Sequence, residues 1–292
     1  MPELPEVETI KNDLKKYIIN KKISSLKVNK RKIIKCGMAG FKRLVVGSLI
    51  KNIDRVGKLL IFYLSNNKYL LVHLKMTGQL VYCNKSKVVA GGHSLKSKND
   101  QTGIGGELPN KYSHVIFYFS DGGALYFNDM RQFGYLKVVA KDELEKIIGE
   151  YGIEPLTDGF RAGKLKELFK NRKVSVKSAI MNQRLIAGIG NIYADEILWM
   201  ARIKPWRKAR SMKLAELEKI VRAANSVIKK AIKYRGTTFN NYRDGQGKKG
   251  DFIRFLNVYG RVGERCKNCK NGLILRKKMA GRSTHYCSKC QR

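Results

Sequence analysis

Met1-Pro-Glu-Leu-Pro-Glu-Val-Glu-Thr-Ile10-Lys-Asn-Asp-Leu14-Lys-Lys-Tyr-Ile18 opens the chain and shows how its first half is built. Pro5 suits the first turn of a helix, where its missing N–H has no partner to lose. Val7, Ile10, Leu14 and Ile18 recur at spacings of three and four, so one helical face is apolar. Glu6 and Glu8 fall in the first turn, where the helix dipole favours carboxylates. The period then changes. From about Ile23 to Val139 the segments Ser48–Arg55, Leu59–Leu64, Tyr69–His73, Val115–Phe119, Ala124–Asn128 and Tyr135–Val139 read as strands. Turn signals separate them, among them Ser65-Asn66-Asn67 and Asp121-Gly122-Gly123. A leading helix followed by these strands predicts a β-sandwich or flattened barrel. Residues 84–111 break the pattern. Rich in Lys, Ser, Gly and Asn and without periodicity, they read as a long surface loop.

Helical periodicity returns from about Asp142. Leu214, Leu217, Val221, Ala224, Ile228 and Ala231 form one stripe, which predicts a helix over 213–234. Shorter helices are expected over 163–170, 174–182 and 191–201. The fold class is therefore α+β and multidomain. Residues 1–140 form the helix-led sandwich, 141–255 a helical domain, and 256–292 a cysteine ribbon.

Four of the six cysteines carry that last assignment. Cys266-Lys-Asn-Cys269 and Cys287-Ser-Lys-Cys290 are two CxxC knuckles separated by the 17 residues 270–286. That spacing matches a four-thiolate zinc ribbon holding one structural Zn2+. Gly272 and Gly281 can bend the chain, and Leu273-Ile274-Leu275 can form a short strand. A disulfide framework is the alternative, but it suits secreted proteins, and the acidic, proline-containing opening is unlike an export signal. Cys36 and Cys83 read as ordinary buried thiols. No apolar run is long enough for a bilayer, so a cytoplasmic protein without a membrane partner is expected.

The 292 residues include 60 Lys+Arg against 23 Asp+Glu, a net charge of +37. Such an excess implies a polyanionic partner, most simply nucleic acid. A basic organism or a charge-solubilised protein would be the plainer source. The cations are spread along the chain, which favours a groove in the folded protein over a basic tail. A hydrophobic fraction of 43% is enough for real cores and excludes a disordered chain. To this point the chain is a basic, zinc-bearing nucleic-acid binder with no required chemistry.

The opening segment changes that reading. Met1-Pro-Glu-Leu-Pro-Glu-Val-Glu-Thr9 resembles the start of the formamidopyrimidine-DNA glycosylase family. Five later stretches are similar to family segments in the same order: His73-Leu-Lys-Met-Thr-Gly78, Asp129-Met-Arg-Gln-Phe-Gly134, Ala187-Gly-Ile-Gly-Asn-Ile-Tyr-Ala-Asp-Glu196, Gly236-Thr-Thr-Phe239 and Val258-Tyr-Gly-Arg261. The likeness covers nearly the whole chain apart from 84–111. It implies that the helical part is a helix–two-turn–helix domain. It also implies a bifunctional glycosylase/AP lyase of base excision repair. Such an enzyme excises oxidised purines, 8-oxoguanine and formamidopyrimidines, from double-stranded DNA and cleaves the strand by β,δ-elimination. A monomer acting on DNA with an oxidised base or an abasic site is expected.

The resemblance also assigns roles. Pro2, once Met1 is removed, would be the nucleophile. An α-amino group titrates near pKa ~8, about two units below lysine, so a useful fraction is neutral at physiological pH. Attack on the anomeric carbon would displace the base and leave an iminium. Glu3 would donate the proton to the sugar and Glu6 would be a second acidic member. Lys58 would contact phosphate and assist elimination, and Arg282 would hold a phosphate and assist the second elimination. Without the resemblance, the opening is a helix cap, Lys58 a solvated strand lysine and Arg282 a backbone contact. Because a base inside a duplex is unreachable, the nucleotide must be turned out. Met76, Arg131 and Phe133 resemble the side chains that fill the gap, although Met76 and Phe133 could equally be core residues. Asn191 would cap its helix while backbone N–H groups face a phosphate. Tyr112, His114, Lys173 and Lys177 fall at or near DNA-facing positions. Asp244-Gly-Gln-Gly-Lys-Lys-Gly-Asp251 resembles a loop that covers the everted base. Met130 and Gln132 depart from the family pattern, which puts local DNA contacts in doubt. An enzyme of the endonuclease VIII type for oxidised pyrimidines, and a non-catalytic zinc DNA-binding protein, are the competing readings.

Overall fold

The computed structural model describes residues 2–93, 104, 106–237 and 251–292. The covering loop expected at 244–251 therefore lies outside the described residues apart from Asp251, as do Met1 and much of the 84–111 segment. The chain divides into two compact units, Met1–Gly149 with Tyr234–Ile253, and Glu150–Lys233 with Arg254–Arg292.

The first unit opens with α1 (Leu4–Ile18), whose Leu4, Val7, Ile10, Leu14 and Ile18 are buried as the spacing predicts. Next come β1 (Ile23–Val28), α2 (Met38–Val45), β2 (Ile50–Val56), β3 (Leu59–Leu64) and β4 (Tyr69–His73). They are followed by β5 (Gly78–Cys83), β6 (Val88–Gly92), β7 (Ser113–Phe119), β8 (Ala124–Asp129), β9 (Tyr135–Val139) and α3 (Lys141–Gly149). Two antiparallel sheets result, in orders β1-β7-β8-β5-β6 and β2-β3-β4-β9. Phe62 and Val72 of one sheet share a core with Leu80, Phe117 and Phe127 of the other, and the apolar face of α1 closes it. This is the expected helix-led sandwich. Glu8 ties α1 to β2 by accepting from Arg55 Nε at 2.7 Å, with Lys11 Nζ at 2.8 Å.

The 84–111 segment corrects the expectation of a plain surface loop. Its first part is β6, paired along β5 from Cys83↔Val88 to Gln79↔Gly92. Gly91 hides this from a hydropathy reading, because a Cβ there would sit 2.5 Å from Ile10 Cγ1. Glycine is needed for α1 to lie against the strand. Further on, Ile104 and Leu108 pack on a second apolar layer, formed by Val81, Ala90, Ile116, Ala124 and Tyr126 on the opposite face of the sheet. The insertion thus supplies a strand and a cover for an otherwise wet apolar face.

The second unit contains α4 (Ala162–Phe169), α5 (Val176–Ile180), α6 (Asn191–Met200), α7 (Leu214–Lys233) and the hairpin of β10 (Ile274–Met279) and β11 (Arg282–Cys287). α7 buries Leu217, Ile220, Ala224, Val227, Ile228 and Ala231. The reversal between α5 and α6 is pinned by one side chain. Gln183 Nε2 donates to the carbonyls of Met181 and Ile189, each at 2.8 Å, and Gln183 Oε1 accepts from Gly188 N–H at 2.9 Å. The hairpin belongs to this unit rather than standing apart as 256–292. A two-stranded ribbon cannot bury enough surface by itself, and its Ile274, Cys266 and Cys287 pack with Trp199 and Val258. Among the described residues no helix is long and apolar enough to cross a membrane.

Candidate functional site

In the first unit the start of α1 collects buried acids. Pro2 is buried. Glu3 is the N-cap and Glu6 the third residue of a capping box. Both carboxyl side chains are nearly solvent-free, at 3% and 5% exposure. Glu3 N–H donates to Glu6 Oε2 at 2.9 Å. Glu6 Oε1 accepts from Thr237 N–H at 2.7 Å and from the Thr237 hydroxyl at 3.0 Å. A Cβ on Gly236, whose φ is +82°, would lie 2.5 Å from that same Oε1. Buried acceptors must be matched by donors, and Glu6 is matched by the N-cap of its own helix and by a segment 231 residues away in sequence.

Lys58 occupies the Gly57-Lys58 turn between β2 and β3, where Gly57 has φ +55°, and it is only 4% exposed. Leu59, the next residue, pairs with His73, which in turn pairs with Tyr135. His73 opens the His73–Gly78 motif, whose sequence alone gives its imidazole no role. Its imidazole is buried and its Nδ1 accepts from Lys75 N–H at 3.0 Å. Burial, with the Lys75 and Lys58 charges adding to it, lowers its pKa to about 3. A neutral imidazole beside two lysines is the kind of perturbed group that marks a functional site.

Two turns meet at the same end of the sandwich. Leu74–Thr77 carries Met76, and Met130–Gly134 carries Arg131 and Phe133. Met76 and Phe133 are 41% and 53% exposed, so neither is a core residue. The Arg131 guanidinium lies over the Phe133 ring, 4.7 Å from its centroid. Lys75 and Gln132 hold positive φ of 48° and 57°, which turns the chain sharply enough to present these side chains outward.

Of Tyr112 and His114, only the second departs from the expected DNA-facing position. Tyr112 is half-buried, with Lys111 Nζ 5.3 Å from its ring. His114 is 2% exposed and its Nε2 bonds the Asp129 carbonyl at 2.7 Å. It therefore faces the protein, not an outside ligand. Burial lowers its pKa, with the Asp129 hydrogen bond opposing.

The second unit holds the remaining cations. Arg282 is exposed and starts β11 directly after the Ala280-Gly281 turn, whose φ values are 45° and 73°. Lys173 is exposed ahead of α5. Lys177, expected to face DNA, is instead buried. Its ammonium pairs with Asp195 Oδ1 at 2.6 Å and donates to Thr284 Oγ1 at 2.8 Å and the Ser283 carbonyl at 3.0 Å. Asp195 Oδ2 accepts from His285 N–H at 2.9 Å. These bonds join α5, α6 and β11, so Lys177 acts on the ribbon from inside. Asn191 is also displaced from its expected role. Gly190 is the cap of α6, and Asn191 Nδ2 donates to the Ser283 carbonyl at 3.0 Å. Glu196, unmarked in the sequence beyond its motif, accepts the backbone N–H groups of Asn257, Val258 and Tyr259 at 2.9–3.0 Å. Burial pushes its carboxyl up, and these hydrogen bonds oppose the rise.

The four thiols Cys266, Cys269, Cys287 and Cys290 cluster with all sulfurs within 4.8 Å of one another. Cys266 and Cys290 Sγ are 3.7 Å apart and Cys269 and Cys287 Sγ 3.6 Å. Four thiolates at ~2.3 Å around a tetrahedral ion stand about 3.8 Å apart, so the set fits a metal ion. The Trp199 indole N–H donates to Cys266 Sγ at 3.3 Å, an outer contact of the kind that orients a ligand.

Known proteins resemble this chain along its whole length. Residues 1–136 match the model of the formamidopyrimidine-DNA glycosylase N-terminal domain, and 151–242 match that of the formamidopyrimidine-DNA glycosylase H2TH domain. A formamidopyrimidine-DNA glycosylase of a Wolbachia from Brugia malayi is 38% identical over 291 residues, spanning 100% of both chains. A Lactococcus lactis FPG mutant, solved in complex with a Fapy-dG containing DNA, is 30% identical over 100% of both chains with a TM-score of 0.85. The Lactococcus lactis Fpg in complex with an abasic site containing DNA is also 30% identical, over 99% of each chain, with a TM-score of 0.84. With two domain models matched in order and a relative of that identity along its full length, the chain belongs to the formamidopyrimidine-DNA glycosylase family.

Proposed function

We propose that this protein is a bifunctional DNA glycosylase and AP lyase. It removes oxidised purines, 8-oxoguanine and formamidopyrimidines, from duplex DNA and then cleaves the strand. The observation that carries the reading is the pair of buried acids Glu3 and Glu6 at the start of α1 immediately after Pro2, with the Glu3 N–H donating to the Glu6 carboxylate. Burying two carboxyls beside an amine is costly without a purpose.

With Met1 removed, the Pro2 nitrogen attacks C1′ of the damaged nucleotide. The N–C1′ bond forms as the glycosidic bond breaks, and the proton lost from the Pro2 nitrogen goes to the departing base. Glu3 supplies the proton that opens the sugar at O4′, leaving an iminium between Pro2 and C1′. The iminium acidifies C2′. Loss of that proton expels the 3′ phosphate, and a second elimination expels the 5′ phosphate. Lys58 and Arg282 assist by holding phosphate and moving protons. Glu6 holds Glu3 in place through its backbone N–H. Met76, Arg131 and Phe133 fill the space the nucleotide vacates, Phe133 as an apolar wedge. Exposed Lys173 and half-buried Tyr112 contact the DNA backbone.

The four cysteines hold one structural Zn2+, which when bound keeps the two knuckles together and so the β10–β11 hairpin in shape. The chemistry of four thiolates at these separations suits zinc.

Sodium borohydride with duplexes containing 8-oxoguanine tests the reading. A covalent protein–DNA complex and strand cleavage are expected. Faster cleavage of a thymine glycol duplex would favour the pyrimidine-directed reading. Absence of any trapped complex with protein shown by mass spectrometry to begin at Pro2 would leave only a DNA-binding protein.

A further inference from the structure

The two turns that present Met76, Arg131 and Phe133 are not linked by packing alone. Asp129, the last residue of β8, has no solvent exposure. Its Oδ1 accepts from the Thr77 hydroxyl and from Arg131 N–H at 3.2 Å. Its Oδ2 accepts from Gly134 N–H at 2.7 Å. Thr77 Oγ1 accepts in turn from Arg131 N–H at 3.0 Å. From the other side, His114 Nε2 bonds the Asp129 carbonyl at 2.7 Å, and Asp129 N–H donates to the Tyr112 carbonyl at 3.0 Å. The Asp129 side chain therefore spans both turns, while its backbone is held on the β7 side.

The surroundings leave it little freedom. A Cβ on Gly134 would meet Phe127 Cζ at 2.7 Å and Asp129 Oδ2 at 3.0 Å. The backbone of the second turn passes directly over the carboxyl. A Cβ on Gly78, next to Thr77, would come within 2.4 Å of the Leu74 carbonyl oxygen, so the first turn is equally tight. Each turn also gives Asp129 at least one hydrogen bond. None of these atoms is open to an outside ligand, so their effect on DNA must pass through the three exposed side chains. The geometry matches a buried polar hub with every donor used, the arrangement that fixes one conformation most firmly.

We propose that the Asp129–Thr77 bridge, braced by His114, is the positioning element that sets Met76, Arg131 and Phe133 as one rigid unit for holding the duplex open opposite an everted nucleotide. The inference rests on the lesion-excision reading and adds residues that touch no DNA. It predicts a division of labour. Removing a base from an intact stack needs the unit, whereas cleaving a site that has already lost its base depends on it far less.

Asp129→Asn and Thr77→Val separate these cases. In D129N one amide N–H must face Arg131 N–H or Gly134 N–H, so a turn is released. T77V keeps shape but removes the hydroxyl that bridges the turns, and Thr77→Ser restores it. The measurement is kcat/KM for excision of 8-oxoguanine opposite cytosine and opposite adenine, beside cleavage and borohydride trapping on a preformed abasic duplex. For D129N and T77V excision should fall about 10- to 100-fold, the scale of a misplacement near 1 Å. Abasic cleavage should change by no more than about 3-fold, and the preference between opposite bases should flatten. T77S should recover most of the excision rate. An equal fall in excision and abasic cleavage would make Asp129 a general fold-stabilising group and overturn the inference, as would full excision activity in both variants. Wild-type protein that never traps abasic DNA would overturn it together with the enzymatic reading; a trapping wild type with equally impaired variants overturns this inference alone.

Discussion

At the level of single residues, burial and partner atoms decide what a side chain can do. Glu3 and Glu6 were readable from the opening segment, but the Thr237 donors on Glu6 were not, since they come from beyond α7 in sequence. Pro2→Gly keeps an α-amine while losing the secondary amine and its ring. It should reduce the borohydride-trapped complex by at least about tenfold with binding of lesion DNA nearly unchanged, read by gel quantitation and anisotropy; equal loss of both would make Pro2 structural. His73 gives a pH prediction. Its pKa is about 3 when folded against about 6.5 unfolded. Between these values the unfolded chain binds the extra proton, so stability rises with pH. Acidification below 6.5 should cost about 1.4 kcal/mol per pH unit from this group, down to about pH 3. His73→Asn preserves an acceptor near Nδ1 but cannot titrate. Urea unfolding at pH 7 and pH 5 should show a smaller acid loss for the variant, and parallel losses would clear His73 of the effect.

At the level of elements, the β10–β11 hairpin shows how a few glycines place chemistry. Two positive φ values in succession at Ala280-Gly281 form the tight turn that matches the strand twist, which puts Arg282 at the tip. Gly272 is needed for a different reason. A Cβ there would lie 2.5 Å from Cys287 Sγ and 3.2 Å from Cys269 Sγ. Gly272→Ala should therefore push thiolates apart. Atomic emission should find clearly less than one zinc per chain after purification, and a full complement would show that the knuckle can yield. From sequence Lys177 and Asn191 read as outward groups, because a basic, polar stretch does not reveal that both turn toward the Ser283 carbonyl. Likewise β6 was unreadable in a glycine-rich stretch whose pairing partner precedes it and whose cover is α1.

At the scale of the molecule, the charge of +37 governs association more than fold. Binding to undamaged duplex should weaken by about 10³-fold or more between 50 and 200 mM salt if six or more phosphates are neutralised. Arg282→Ala should lower the slope of log K against log salt by about one. Fluorescence anisotropy across a salt series measures both, and an unchanged slope would remove Arg282 from the phosphate contacts. The two units differ in how their cores are made. The first buries a two-sheet interior, while in the second the hairpin and the helices cover one another.

Local periodicity, cap residues and cysteine spacing were enough to specify the leading helix, most of the strands, the long helix and the four-thiol ribbon, because each is an interaction between residues close in sequence. The ordered motifs further implied the family. Only the folded chain decided that Asp129 bridges two turns, that His114 and Lys177 look inward, that Gly190 rather than Asn191 caps α6, and that the 84–111 segment adds a strand and a cover. Those outcomes depend on which distant atoms meet in the low-dielectric interior, where an unpaired polar group is costly, and no local pattern encodes such a meeting.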